Sequence, residues 1–190
     1  MSATDVRPNQ REHILDVSLR LMSERGATGM SMRQLANACD LQVAAIYHYF
    51  PSKDALLAAV VAERQYGSRL EDPLPVDPDA PPAERLTDVF VQVFEGALSE
   101  QSIWRLLIGE AMRGEPTVLP VGQELLALLQ PAAADWVVRA VPELANPDDL
   151  AQLVVGQLLT GFIRTVFEPD VDPRTIALQV AAPLAALVED

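Results

Sequence analysis

The segment Ser31 to Leu57, SMRQLANACDLQVAAIYHYFPSKDALL, constrains the fold more than any other stretch of the chain. Ser31 is a good N-cap and Gln34 lies three residues on, the spacing at which each side chain can satisfy the other's backbone amide. Met32, Leu35, Ala36 and Cys39 then fall on one helical stripe. Asp40 stands where the chain must turn, and Leu41 is expected to re-enter the core. A second helix is expected from about Gln42 to Tyr49. Pro51 stops it, having no amide to donate, and Ser52 caps a further helix with Lys53 in its first turn. On a 3.6-residue wheel Ile46 and Phe50 share one face, flanked by Gln42 and Val43, while Ala44, Ala45, Tyr47 and His48 point the other way. A globular domain gains little by exposing Tyr and His beside two alanines unless something lies against them. Two short helices, a tight turn and such an outer face describe a helix-turn-helix, whose geometry lets the second helix enter a DNA major groove.

The segment resembles the DNA-binding head of the tetracycline-repressor (TetR) family of bacterial transcription regulators. The resemblance rests on Ser31-x-Arg33, Leu35-Ala36, the aromatic run Tyr47-His48-Tyr49-Phe50, and Pro51-Ser52-Lys53-Asp54-Ala55-Leu56-Leu57. It covers about the first 60 residues. It implies an all-α chain of about nine helices: a three-helix helix-turn-helix head over residues 1–51, then a larger helical body over 52–190 that binds an effector and dimerises. Two positions depart from the family pattern. Asp40 stands where glycine is usual, and Ala45 replaces the usual Thr or Ser.

Side-chain chemistry gives the expected DNA contacts. Arg33 can reach a guanine edge or a phosphate, and Gln42, at the start of the second helix, can pair with adenine. Val43 and Ala44 offer apolar contact, for instance to a thymine methyl. Tyr47, His48 and Lys53 are assigned to phosphates, which position without specifying, and Ser31 completes the set. The second helix carries no Arg or Lys, so affinity is expected to depend on dimerisation, with a shallow dependence on salt.

Charge is distributed unevenly. The net charge is −13, yet residues 1–53 hold six basic and five acidic residues, whereas residues 54–190 hold eight and twenty-two. The acidic body would discourage indiscriminate phosphate binding, which is mostly electrostatic. The low head charge leaves room for an alternative, a helical dimer whose head binds a protein partner and has lost DNA. Enzymatic chemistry finds no support: His13, His48 and Cys39 are the only histidines and cysteine, and no phosphate loop, nucleophile elbow or metal-spaced cluster is present. No cofactor or metal is expected. Cys39 reads as a small buried hydrophobe. The first ten residues are polar and no apolar run reaches about 18 unbroken residues, so a soluble, cytoplasmic protein without membrane contact is expected.

Elsewhere helices dominate. Asn9 and Glu12 suggest a cap before Ile14, Leu15, Leu19, Leu21 and Met22, with Gly26 as the stop and a loop over 27–30. A helix from Ser52 to about Leu70 carries Leu56, Leu57, Val60 and Val61. The stretch 71–82, with five prolines among twelve residues, cannot be helix. Leu86, Val89, Phe90, Val93, Phe94 and Ala97 then form an amphipathic stripe, and helix continues over Ile103–Met112 until Gly114 and Pro116. Leu125–Val141 is expected as a helix bent at Pro131.

Asn146 and Asp172, each followed by Pro, cap two final helices, at about 148–167 and 173–188, the second disturbed by Pro183. Both are apolar on more than one face and need a cover, for which a second copy is suited. Gly156 and Thr160 would permit close helix approach there. In the resembled family these helices form the homodimer, and a small, lipophilic effector sits among the body helices. Large side chains available for it are Phe90, Phe94, Trp104, Leu107, Met112, Trp136 and Phe162, with Gln123, Gln157 and Arg164 as polar groups that could orient it.

Overall fold

Asn9 caps α1 (Gln10–Gly29) by accepting from the Arg11 amide, two residues on rather than the three of a capping box. The computed structural model describes residues 9–63 and 74–188, and among these every regular element is helical. Gly26 interrupts α1 at φ 74°, ψ 158°, but Ala27–Gly29 form a last helical turn where a loop was expected. Then come α2 (Met32–Ala38), α3 (Val43–Tyr49) and α4 (Lys53–Glu63). The continuation of α4 towards Leu70 lies outside the described residues, as do 71–73. From Leu74 to Pro81 the chain is irregular, with a turn at Asp77–Ala80, as its prolines require.

Next are α5 (Pro82–Ser99) and α6 (Gln101–Met112), separated at Glu100. Gly114 takes φ 81° and a 3₁₀ turn spans Pro116–Val118. That turn feeds α7 (Leu119–Ala140), which begins six residues earlier than its apolar pattern suggested and runs through Pro131. Asn146 precedes α8 (Pro147–Phe167), but it makes no capping bond. Its amide donates instead to the Asp149 carboxylate at 2.6 Å. Asp172 does cap α9 (Pro173–Ala185), accepting from the Thr175 amide at 3.1 Å. That helix ends at Ala185 rather than Val188, two residues past Pro183. Gln179 and Pro183 are both exposed, so the carbonyl deprived of its amide partner lies on the wet side of the helix.

The described chain forms two compact units. The first takes in residues 9–63 and 101–123. There α1 packs on α4 and α6, α2 packs on α3, and Ile14, Leu15, Met22, Leu35, Ile46, Leu56 and Leu106 are buried in the interior. The second takes in 74–100 and 124–188, with α5 packed on α8 and α9 around Phe90, Phe94, Trp136, Ile176 and Leu184. Gly161 of α8 approaches α5 so closely that a Cβ there would lie 2.6 Å from Phe94 Cε2. Gly156, expected from sequence as a point of close approach, has open space around it.

Of the described helices, α8 is the one long and apolar enough to cross a membrane by length and composition. It buries Leu150, Ala151, Val154 and Gly161 in the second unit. Its other side, with Leu153, Leu159, Ile163, Val166 and Phe167, is exposed, as are Leu178 and Leu187 after it.

Candidate nucleic-acid interface

The cap and turn around α2 form as the residue types dictate. Ser31 Oγ accepts from the Gln34 amide at 3.2 Å, and Gln34 Oε1 accepts from the Ser31 amide at 2.9 Å, closing the capping box. At the other end Asp40 takes φ 56°. The Leu41 amide then donates to the Ala36 carbonyl at 2.9 Å and the Asp40 amide to the Asn37 carbonyl at 3.3 Å. This is a Schellman turn, with aspartate in the left-handed position that glycine usually fills. Met32, Leu35, Ala36 and Cys39 are all buried. Burial pushes the Cys39 thiol pKa above its ordinary value.

The second helix, α3, is held by its aromatic end. Ile46 and Phe50 are buried, Tyr49 donates its hydroxyl to Gln10 Oε1 at 3.1 Å, and the Arg11 guanidinium lies 5.3 Å from the Phe50 ring centroid. Arg11 also forms a two-pronged ion pair with Glu63 of α4, so this cation is engaged. What α3 leaves outward is Gln42, Ala44, Tyr47 (48% exposed) and His48. Ala44, Tyr47 and His48 lie three and four residues apart and therefore on one face. Val43 is half-buried. Arg33 on α2 is exposed.

Two expected contact residues are already occupied within the chain. Ser31 spends its hydroxyl on the cap. Lys53 Nζ donates to the carbonyls of Thr28 and Met30 at 3.3 and 3.4 Å.

The residues expected to hold an effector separate into two groups. Phe90 and Trp136 line an apolar cavity of about 10 Å³ together with Leu86, Val89, Val93, Val137 and Val154. That is roughly the space of one water molecule. Phe94 packs in the same core, its ring 6.2 Å from that of Phe90, while Phe162 is half-buried and outside the lining. Trp104, Leu107 and Met112 belong to α6 in the first unit: Leu107 is buried, Trp104 half-buried and Met112 85% exposed. Of the polar candidates, Gln123 is exposed and Gln157 half-buried, and Arg164 is paired with Glu168 at 2.6 Å. The aliphatic lining residues escaped sequence reasoning because valine on a core stripe looks the same whether or not a cavity adjoins it.

A family model for bacterial regulatory proteins of the tetR family matches residues 14–60, the span of α1 to α4 just described. The HTH-type transcriptional regulator AcrR of Shigella flexneri is 31% identical over 167 residues, which cover 83% of this chain and 76% of that protein. The chain belongs to the tetR family of bacterial regulatory proteins. The HTH-type transcriptional repressor KstR of Rhodococcus jostii is 32% identical over 93 residues, covering 48% of this chain but only 42% of that repressor. Likeness of fold extends further. The transcriptional regulator FadR of Bacillus subtilis, solved in complex with stearoyl-CoA, superposes with a TM-score of 0.62 at 15% identity, covering 92% of this chain and 97% of that one.

Proposed function

We propose that this protein is a homodimeric transcriptional repressor that binds a near-palindromic DNA operator and leaves it when a small apolar effector enters its body. The observation that carries the reading is the outer face of α3. Gln42, Ala44, Tyr47 and His48 stand exposed on a helix whose other side is fixed by Ile46, Phe50 and the Schellman turn before it. In this reading residues 1–51 form the DNA-binding domain and 52–190 the effector-binding and dimerisation domain. Gln42 and Arg33 read base edges, Val43 and Ala44 touch methyl groups, and Tyr47 and His48 meet phosphates. Lys53 and Ser31 would have to exchange their internal bonds to join them.

The dimer would use the exposed apolar side of α8 and α9, where Leu153, Leu159, Ile163, Phe167, Leu178 and Leu187 want a cover. Gly156 and Thr160 on α8 are exposed there too, with space for a close neighbour. The effector would be lipophilic, because every residue lining the cavity is apolar. The cavity holds only about 10 Å³, so such a ligand must favour an expanded state of the second unit and act by shifting populations. The stearoyl-CoA bound by FadR fits this class of ligand.

The reading is tested by selection from a random duplex pool with the purified protein at low and moderate salt. Enrichment of an inverted repeat is the expected result. Should nothing be enriched although the protein is a folded dimer, DNA binding fails and the head is a partner-binding module.

A further inference from the structure

We propose that the buried carboxylate of Glu110 is the positioning residue through which α6 holds the helix-turn-helix. Glu110 is 2% exposed and completes an otherwise apolar stripe with Ile103, Leu106 and Leu107 at helical spacing. A carboxylate costs much free energy in such a place unless it is paired and hydrogen-bonded. Its Oε1 accepts from the backbone amide of Ala27 at 2.8 Å and from Arg113 Nη1 at 2.9 Å.

The Ala27 amide needs that acceptor. Gly26 leaves helical geometry at φ 74°, so Ala27 begins a fresh helical turn whose first amides have no partner inside the helix. Glu110 therefore acts as an N-cap supplied from another helix, 83 residues away in sequence. Glycine at position 26 makes room for it: a Cβ there would lie 3.1 Å both from Glu110 Oε1 and from the Arg113 guanidinium.

The same short segment is held a second time. Lys53, the residue that opens α4 just after the helix-turn-helix, donates to the carbonyls of Thr28 and Met30. The two-helix pair is thus entered and left at one polar junction, residues 27–30, held by an ammonium from α4 and a carboxylate from α6. Removing the carboxylate would leave the apolar contacts of Met32, Leu35, Ile46 and Phe50 in place but free the junction that orients the pair.

Amide hydrogen exchange on the full chain tests this, beside binding to a duplex selected by the wild-type protein, both well below the unfolding temperature. In Glu110→Ala, exchange over residues 27–39 should quicken roughly 10- to 100-fold, the loss expected for one hydrogen bond to a charged group. Exchange in α8 and α9 should be unchanged. Duplex affinity should fall about tenfold or more, and Glu110→Gln, which keeps the acceptor oxygen, should recover most of both effects. Arg139→Ala, which removes only an exposed ion pair with Asp135 on α7, should stay within about threefold of wild-type affinity.

A merely structural Glu110 would quicken exchange in all helices together, or leave duplex affinity unchanged in the folded variant. Either result overturns the proposal. If Glu110→Ala does not fold, Glu110→Met, of similar length but without an acceptor oxygen, takes its place with the same readouts. The binding arm rests on the regulator reading. If the wild-type protein selects no duplex, that reading fails, and the exchange arm decides Glu110 alone.

Discussion

Replacing Gly161 with alanine would put a methyl group 2.6 Å from Phe94 Cε2, 3.0 Å from Cζ and 3.4 Å from Cδ2. Ordinary carbon contacts are about 3.5–4.0 Å, so ring or helix must move by about 1 Å. The Phe94 ring cannot swing into solvent: it is 1% exposed and lies beside Phe90 in the core of the second unit. Overpacking of this kind costs about 1–3 kcal/mol, against a gain of about 0.8–1.0 kcal/mol for alanine over glycine within a helix. With the ring unable to move aside, the packing cost should win, leaving Gly161→Ala destabilised by up to about 2 kcal/mol.

Gly156, five residues earlier on the same helix, has nothing within 4 Å, so Gly156→Ala should give the helix the propensity gain without the clash. Urea unfolding of both variants, with the slope checked for constancy, gives the comparison. It should be made at protein concentrations where wild type and variants share one oligomeric state, because dimerisation adds to apparent stability. If Gly161→Ala is as stable as wild type, the close approach of α8 to α5 is refuted. If Gly156→Ala keeps the monomer intact but weakens self-association in sedimentation, the dimer face lies where α8 is open.

Other perturbations follow from single observations. Asp40→Gly relieves a left-handed residue at φ 56° and should raise stability by about 0.5–1 kcal/mol in thermal unfolding; a loss would refute the turn assignment. Cys39 is buried with its thiol pKa raised, so the native protein should react with a thiol reagent far more slowly than the unfolded chain, and equal rates would contradict its burial. Because the folded state keeps that proton longer, the sign is a loss of stability as pH rises above the unfolded thiol's pKa, detectable as a lower unfolding midpoint that Cys39→Ala should not show. Glu168 runs the other way. Its carboxyl pKa is lowered by the hydrogen bond from Arg164, so its stabilisation is present above the ordinary carboxylate range and fades as pH falls through the lowered value. Glu168→Gln should flatten that part of the acid-unfolding profile.

Much of the first unit was legible because its determinants are local. A capping box, a stripe at 3.6-residue spacing, a left-handed aspartate and a proline stop each act within a few residues, and each appears where the residue types place it. Boundaries were less legible where competing local bonds were equally available. Asn146 could cap α8 or pair with Asp149, and it pairs. The start of α7 was hidden because Pro116 to Gly122 reads as a breaker-rich stretch, yet prolines at first-turn positions cost no amide bond.

Long-range partners were the least legible. Nothing near Glu110 in sequence announces the Ala27 amide, although a lone acid on an apolar stripe was a signal that it would need a buried partner. Likewise, Lys53 looks like a free cation in sequence and is spoken for by two carbonyls in the fold. Cavity-lining valines are indistinguishable from core.

The proposed reading of DNA by α3 and α2 is tested most directly by the salt dependence of duplex affinity. The duplex selected by the wild-type protein would be titrated at several salt concentrations with wild type, with Arg33→Ala and with Tyr47→Ala. Counterion release predicts a linear fall of log affinity with log salt, with a modest slope because α3 lacks Arg and Lys. Arg33→Ala should lose about 1–3 kcal/mol and relax preference at one base pair if it reads a base edge. Tyr47→Ala should weaken all sequences alike. Affinity indifferent to salt and to both substitutions would contradict the account.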